Sequence, residues 1–268
     1  MVREFTLINS KNESWEFNNK LTKVFLNEPQ GLGFKRTETA TRYGNRQIFT
    51  EIIDDFPEFQ GEIMFFQKIN DDRYVEYDQF CRFISYEPLK LVYSVPGVNN
   101  FTLDCIVESL TKTESEPSGY MRCPIVIKGL SFWKGIEETI TGSTDTYTIH
   151  NLGDYPVGCE ITVDGSFSNP DITFEQDNEL YGEAKFIDST AFDSVYINSN
   201  DGEQNVTLEQ GGSVLPNPLG YQDLSISNGA IYVTFIKLAR GESTLTIGKD
   251  SGSLTSVEIR FTPLYRSV

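Results

Sequence analysis

The sequence predicts a mostly β protein with two domains, and three observations carry this prediction. Phe (19) and Tyr (13) are abundant, and Thr, Ser, Val and Ile recur in short alternating runs typical of strands. A chain of 268 residues is long enough for two separate cores. Charge is also divided unevenly: residues 1–134 hold 16 Lys and Arg against 19 Asp and Glu, a net −3, whereas residues 135–268 hold 6 against 20, a net −14. Since separate domains often differ in charge, we expect domains at residues 1–135 and 136–261.

The first half combines strands with one helix. Seven strand-like runs are expected, at residues 4–9, 21–26, 47–54, 58–67, 89–95, 101–110 and 123–133. Residues 35–46 join the second and third runs and form the most basic part of the chain, which predicts a long loop or an extended hairpin.

A helical period interrupts these strands. The apolar residues that recur three and four positions apart are Tyr74, Tyr77, Phe80, Cys81 and Ile84. The pair Asp71-Asp72 suits a helix start, and Pro88 sets the limit at the other end. The sequence therefore predicts one helix between these positions.

The second half has the regularly spaced turns that are typical of a β-sandwich or jelly roll. Turn signals arrive every 8–12 residues, at 164–165, 169–170, 201–202, 211–212, 216–218, 228–229 and 241. The clearest strands are residues 231–236, 243–247 and 257–261.

The sequence offers only weak candidates for a catalytic site. His150 is the single histidine and lies beside a predicted turn, which favours a surface role over that of a general base. Adjacent acidic residues on a strand point to opposite faces and do not share a cleft. The stretch Asn198–Gly202 places its glycine one position early for a calcium loop and predicts a hairpin turn. We expect no enzyme activity and no cofactor, although an unassigned hydrolase using His150 stays an alternative.

The cysteines predict neither a metal site nor disulfides. Cys81, Cys105, Cys123 and Cys159 are widely spaced, so we expect buried, reduced thiols. The first residues lack a secretion signal and no run is long enough for a membrane span, so a soluble protein made in a cytoplasm is expected. The acidic second half makes nucleic-acid binding there improbable.

The most informative segment is residues 27–34, Asn-Glu-Pro-Gln-Gly-Leu-Gly-Phe. Pro29 is expected to end the preceding strand. Gly31 and Gly33 lie on either side of Leu32, which predicts a backbone conformation that presents one apolar side chain. A third glycine and a following Lys-Ser/Thr are missing, so the segment does not match a phosphate-binding loop.

This segment resembles the N-terminal signature of the distal tail proteins of long-tailed, non-contractile bacteriophages (siphophages). Several other stretches fit the same pattern in order: the strand at 5–9, the helix and strand at 74–93, the segment 127–135, the strand edges at 226–229 and 238–243, and the end at 260–268.

The resemblance implies a specific architecture and function. The first domain would be a tail-tube-like β-sandwich with one α-helix, completed by residues 262–268, and the second a galectin-like β-sandwich. Six copies would form the hub ring of a tail tip or baseplate, joining the major tail tube protein to the tail-tip (tail-associated) protein. The second domains would carry receptor-binding proteins for host adsorption. Such a protein would be assembled in the host bacterial cytoplasm and located in the virion, with DNA passing its central channel unbound and no membrane contact.

The predicted interface residues with the tube or with other copies are Gly31, Leu32, Gly33, Phe34, Arg36, Arg42 and Arg46. An ordinary tight turn with Leu32 in its own core is equally compatible with the sequence. The alternative function is a carbohydrate-binding, lectin-like host-recognition protein. This alternative is weakened because both tryptophans, Trp15 and Trp133, lie in the first half, and sugars favour such rings.

Overall fold

The chain folds into two compact units, one of which is discontinuous in sequence. The computed structural model describes residues 4–17, 24–43, 46–66, 70–94, 100–114, 120–177, 179–187, 191–214, 230–233 and 235–268. Unit 1 comprises Met1–Ile136 with Tyr265–Val268, and unit 2 is Glu137–Leu264. Unit 2 is therefore an insertion in the sequence of unit 1. Within the described residues the secondary structure is strands and a single helix, so the mostly β prediction is confirmed.

Unit 1 is built on one large antiparallel sheet. Its elements are β1 (Glu4–Ile8), β2 (Ser14–Phe17), β3 (Val24–Gln30), β4 (Lys35–Tyr43), β5 (Arg46–Asp55), β6 (Glu58–Phe66), α1 (Asn70–Ile84), β7 (Leu89–Ser94), β8 (Phe101–Leu110), β9 (Tyr120–Gly129), β10 (Trp133–Lys134) and, after unit 2, β24 (Leu264–Tyr265). The strand order is β2-β1-β7-β8-β9-β6-β3, and β10 pairs with both β8 and β24.

The helix covers this sheet with aromatic side chains. Of the predicted apolar positions, Tyr77 and Phe80 are buried, while Tyr74, Cys81 and Ile84 are partly buried against the same core. Phe83, which was not among the predicted positions, is also buried. The ring of Phe80 lies 5.2 Å from that of Trp15 and 6.1 Å from that of Phe65. Because aromatic side chains bury large areas, these contacts supply much of the unit 1 core.

Strands β4 and β5 form a separate two-stranded antiparallel sheet, which we call the arm. For residues 35–46 the sequence left open a long loop or an extended hairpin. Lys35–Tyr43 is a strand of the arm, so the extended hairpin is the correct alternative. Two short connectors, residues 31–34 and 56–57, attach the arm to the sheet of unit 1.

Strand β3 does not stop at Pro29, contrary to the prediction. It runs to Gln30, and its pairing with β6 skips from Asn27 to Gln30 through a β-bulge in which Glu28 has φ 48°. A bulge leaves residues unpaired with the neighbouring strand, so a residue without an N–H is tolerated there.

The predicted run 123–133 is likewise two strands, β9 and β10, separated by residues 130–132. The predicted positions 21–23, 67 and 95 lie outside the described residues.

The described part of unit 2 consists of two large sheets and one short two-stranded sheet around one core. Its strands are β11 (Glu138–Gly142), β12 (Thr146–Asn151), β13 (Val157–Gly158), β14 (Glu160–Ser168), β15 (Asp171–Gln176), β16 (Glu179–Ile187), β17 (Phe192–Asn198), β18 (Asn205–Gln210), β19 (Ser213–Val214), β20 (Ala230–Val233), β21 (Lys237–Leu238), β22 (Gly241–Gly248) and β23 (Ser251–Phe261). The orders are β11-β23-β14-β17-β18-β19 and β12-β22-β15-β16-β20, with β13 and β21 paired separately. Both larger sheets contribute to a single cluster of buried apolar side chains, as in a sandwich.

One predicted turn in unit 2 is wrong. Asp164-Gly165 lies inside β14, where the pairing with β23 shifts register between these two residues. The glycine marks a bulge that bends the strand, and the chain reverses only at residues 169–170. The hairpin predicted after Asn198 is present, because β17 and β18 pair through it. The predicted turns at 216–218 and 228–229 lie outside the described residues.

Candidate interaction site at the base of the arm

The first connector of the arm depends on Gly31. This residue has φ +92°, and a Cβ added to it would lie 1.9 Å from the backbone oxygen of Glu58. A side chain is therefore excluded both by backbone conformation and by space. Gly33 differs, because a Cβ there would meet nothing within 4 Å. Only one of the two glycines is sterically required.

Leu32 packs into its own unit. Its half-buried side chain contacts the core of unit 1, and its carbonyl oxygen accepts a hydrogen bond from the backbone N–H of Val268, 3.0 Å away. The structure thus favours the tight-turn interpretation for Leu32. The apolar group that the connector exposes is instead Phe34, whose side chain is 51% accessible.

Phe34 lies beside two guanidinium groups. The Cζ atoms of Arg36 and Arg266 are 5.6 Å and 5.3 Å from its ring centroid, within the range of cation–π attraction. Asp54 joins the two arginines: its Oδ1 is 2.7 Å from Nε of Arg36, and its Oδ2 is 4.0 Å from Nη1 of Arg266. The side chain of Asp54 is only 13% exposed, so these charges interact in partial shelter from water.

A cavity of about 740 Å³ opens next to this cluster. Its wall combines both arm connectors with the neighbouring ends of β3, β4, β5, β6 and β9. Phe34 and Phe56 (53% accessible) supply the apolar lining. The charged lining is balanced, with two basic and two acidic residues: Lys35, Lys128, Asp55 and Glu58. The ring of Phe56 also packs against that of Phe132 at 5.1 Å.

The arm exposes apolar side chains on both faces. Ile52 and Ile53 are 52% and 50% accessible. Since consecutive side chains of a strand point in opposite directions, one isoleucine lies on each face. An isolated two-stranded sheet is marginally stable in water, so a surface of this kind gains stability when another molecule covers it.

Arg42 and Arg46 lie far from the connector. They belong to the end of the arm where β4 turns into β5, with Arg42 opposite Gln47 and Arg46 opposite Tyr43. Arg42 lies six positions after Arg36 along the strand, which corresponds to about 20 Å. The predicted interface residues therefore divide between the base of the arm, with Gly31, Leu32, Gly33, Phe34 and Arg36, and its far end.

Several residues of this site were not predicted. Ile52, Ile53, Asp54 and Phe56 follow one another closely in the chain, and a doublet of apolar residues in a predicted strand was an available signal. Arg266 had no signal, because it is 212 positions from Asp54 and only folding brings the two together.

Other chemically capable residues lie outside this site. The exposed ring of His150 on β12 has Nδ1 3.7 Å from Oε2 of Glu242, which is a surface ion-pair geometry. Among the residues that the structure describes, no group of three His, Cys, Asp or Glu side chains is placed to hold a metal ion. No helix in the same residues is long and apolar enough to cross a membrane.

The four cysteines are free thiols. Cys105, Cys123 and Cys159 are buried as predicted, but Cys81 is only half-buried, because it lies on the margin of the packed face of α1. Burial raises the pKa of Cys105 and of Cys159 to about 12, and it also raises the pKa of Cys123.

The fold is shared with known phage proteins. One chain of the phage P2 baseplate in its activated conformation with Ca has a TM-score of 0.57 at 14% identity, over 100% of both chains, and the form with Sr gives the same values. The SPP1 Dit (gp 19.1) protein, described as a paradigm of the hub adsorption apparatus in phages infecting Gram-positive bacteria, has a TM-score of 0.68 at 12% identity over 97% of this chain and 98% of its own. At these identities the likeness concerns the fold.

Sequence comparison identifies the family of the first unit. No curated protein sequence matches this chain significantly. The family model described as "Distal tail protein, N-terminal domain" matches residues 4–130, which include β1 to β9, the arm and the connector that contains Gly31. Residues 4–130 of this chain therefore match the N-terminal domain of distal tail proteins.

Proposed function

We propose that this chain is a structural, non-catalytic subunit of a bacteriophage tail tip or baseplate. Six copies form a ring through unit 1, and the ring joins the major tail tube protein to the tail-tip protein. The family of residues 4–130 and the likeness of the whole fold to a baseplate chain and to a hub protein support this proposal.

The arm is the single observation that carries the ring proposal. It stands apart from the large sheet of unit 1 and exposes Ile52 and Ile53 on opposite faces. Burial of such side chains contributes about 1.5–3 kcal/mol each when it is complete. A neighbour that covers both faces of the arm would therefore stabilise the arm and the assembly together.

The neighbour that we propose is a second copy of the chain. Residues 39–50 of the arm contain Arg42 and Arg46 and no acidic residue, whereas the whole chain has a net charge of −17. Over its two strands the arm holds four basic and four acidic residues, so the attraction belongs to this far end of the arm, which is drawn to the acidic body of another copy. A contact between unlike surfaces repeats head to tail and closes into a ring when the rotation permits.

The proposal also assigns roles to unit 2 and to the central channel of the ring. Unit 2 acts as a galectin-like domain that carries receptor-binding proteins, which places the protein in the virion at the tail tip. Unit 1 acts as a tail-tube-like domain, and with a net charge near −3 over residues 1–134 it lets DNA pass without holding phosphates.

Light scattering during size-exclusion chromatography tests the ring. The wild-type chain, of 30.3 kDa, should form particles of six copies, about 182 kDa, at high concentration, and heavier particles that contain six copies when tube or tip protein is added. Ile52→Asp and Ile53→Asp should each shift the particle toward the monomer, because each places a charge in the covered face. Val75→Asp is the matched control, since Val75 on α1 is also 52% accessible but lies outside the arm.

Two outcomes would contradict the proposal. One is a wild-type chain that stays monomeric at every concentration and is never recruited by tube or tip protein. The other is saturable binding of host cell-wall polysaccharide by the full chain in calorimetric titration, which would favour the lectin-like alternative.

A further inference from the structure

Residues 265–268 reach unit 1 only after the whole of unit 2 has been passed in the sequence. Tyr265 and Val268 pack against the core of unit 1, and the ring of Tyr265 lies 5.4 Å from that of Phe101. The backbone N–H of Val268 donates to the carbonyl oxygen of Leu32 at 3.0 Å. These contacts tie the segment to the large sheet and to the first connector of the arm.

Arg266 ties the same segment to the arm itself. Its guanidinium lies 5.3 Å from the ring of Phe34 in the first connector, and its Nη1 lies 4.0 Å from Asp54 near the end of β5. The second connector, residues 56–57, begins two positions after Asp54. One four-residue segment therefore touches the arm on both of the sides by which it is attached.

We propose that residues 265–268 are a latch that holds the arm in one direction relative to the sheet of its own unit, with Arg266 as the positioning residue. The connectors are held at their own positions, by the packing of Phe56 on Phe132 and of Gly31 against Glu58, so the direction of the arm beyond them depends on a further contact. The latch is that contact: Tyr265 and Val268 anchor it to the core, while Arg266 holds Phe34 and Asp54.

The latch has a consequence for assembly that rests on the proposed ring. An arm without a fixed direction exposes Ile52 and Ile53 at many different angles. A neighbouring copy that binds the arm at only one angle can then bind only the molecules that have this angle. Affinity falls by the fraction of molecules that hold the correct direction. A chain without a working latch should therefore assemble less readily than the wild type, even though the arm surface is unchanged.

Distances between spin labels in the full chain test the latch directly. One label is placed on the arm at Thr39→Cys and one on the sheet at Ser109→Cys, both exposed positions, in a Cys81→Ser background. At a dilution at which light scattering gives the mass of one chain, the wild-type latch should give a narrow distance distribution. Arg266→Ala should give a clearly broader one.

Two further variants sharpen this test. Arg122→Ala is the matched control, because Arg122 on β9 of the same unit also lies 4.0 Å from an acidic oxygen, that of Glu62, and it should leave the distribution narrow. Asp54→Asn removes the charge from the arm side and should broaden the distribution as Arg266→Ala does. The double variant should be no broader than either single one, because both act on the same contact.

The latch would be overturned by a distribution that stays narrow in Arg266→Ala and Asp54→Asn, or by one that is already broad in the wild type. Failure of the ring is a separate result. If Arg266→Ala broadens the monomer distribution while the wild type never assembles, the latch holds and the proposed function fails. If rings form equally well and the distribution never changes, the latch fails and the ring stands.

Discussion

At the scale of single residues, Gly31 and Gly33 look alike in the sequence but occupy different environments. Both appear as flexible positions around Leu32, and the sequence assigns them a common role. The structure separates them, because the backbone oxygen of Glu58 occupies the place of a Cβ at Gly31 while the space around Gly33 is open. Side-chain requirements of this kind depend on a partner strand that local sequence does not reveal.

This difference predicts the effect of two matched substitutions. Gly31→Ala should destabilise unit 1 by about 2–4 kcal/mol, since it combines an unfavourable φ with a backbone clash. Gly33→Ala should change the stability by less than about 0.5 kcal/mol. Urea unfolding followed by tryptophan fluorescence measures unit 1 alone, because Trp15 and Trp133 are the only tryptophans and both belong to it. Equal effects of the two substitutions would contradict the required role of Gly31.

At the scale of elements, residues that usually end strands lie inside two of them. Pro29 lies in β3 and Gly165 in β14, each at a register shift in the pairing with a neighbouring strand. The helix is predictable in contrast, because Tyr77 and Phe80 follow its period regardless of what they pack against. A bulge depends on the register of two strands that are distant in sequence, so the same residues cannot distinguish it from a turn.

The segment 265–268 is an element whose contribution to stability can be measured. A chain that ends at Leu264 loses the packing of Tyr265 and Val268 and the hydrogen bond to Leu32, so unit 1 should be destabilised by about 2 kcal/mol. Tryptophan fluorescence during urea unfolding should show an earlier transition. Ser267→Ala, a change at an exposed position of the same segment, serves as the control and should have no effect. A transition that does not move on truncation would show that unit 1 is complete without the segment.

At the scale of the whole molecule, each unit holds a buried thiol, and its effect on folding stability can be measured at alkaline pH. Cys105 lies in unit 1 and Cys159 in unit 2, and burial raises the pKa of both from 9.0 to about 12. In the unfolded chain these thiols ionise near their ordinary pKa, whereas in the folded chain they keep their protons. Folding stability is therefore full below about pH 9 and decreases as the pH rises toward 12.

The predicted loss is up to about 1.4 kcal/mol per pH unit for each thiol. Urea midpoints should fall between about pH 8 and about pH 10, with tryptophan fluorescence reporting unit 1 and far-ultraviolet circular dichroism reporting both units. Cys159→Ala should lessen the fall in the transition of unit 2 and leave that of unit 1 unchanged. Lysines and tyrosines are the same in the variant and in the wild type. An equal decrease of the urea midpoint in the two proteins would therefore exclude the contribution of this thiol.

The sequence by itself determined the mostly β class, the helix and the family resemblance of the first unit, and it limited residues 35–46 to a long loop or an extended hairpin. Each of these follows from periodicity, composition or short motifs, which act over a few neighbouring residues. Only the tertiary structure decided that Leu32 faces inward while Phe34, Ile52 and Ile53 face outward, and that Arg266 reaches Asp54. Exposure and long-range pairing depend on which distant segments share a surface, and that is settled only when all of the strands are in register.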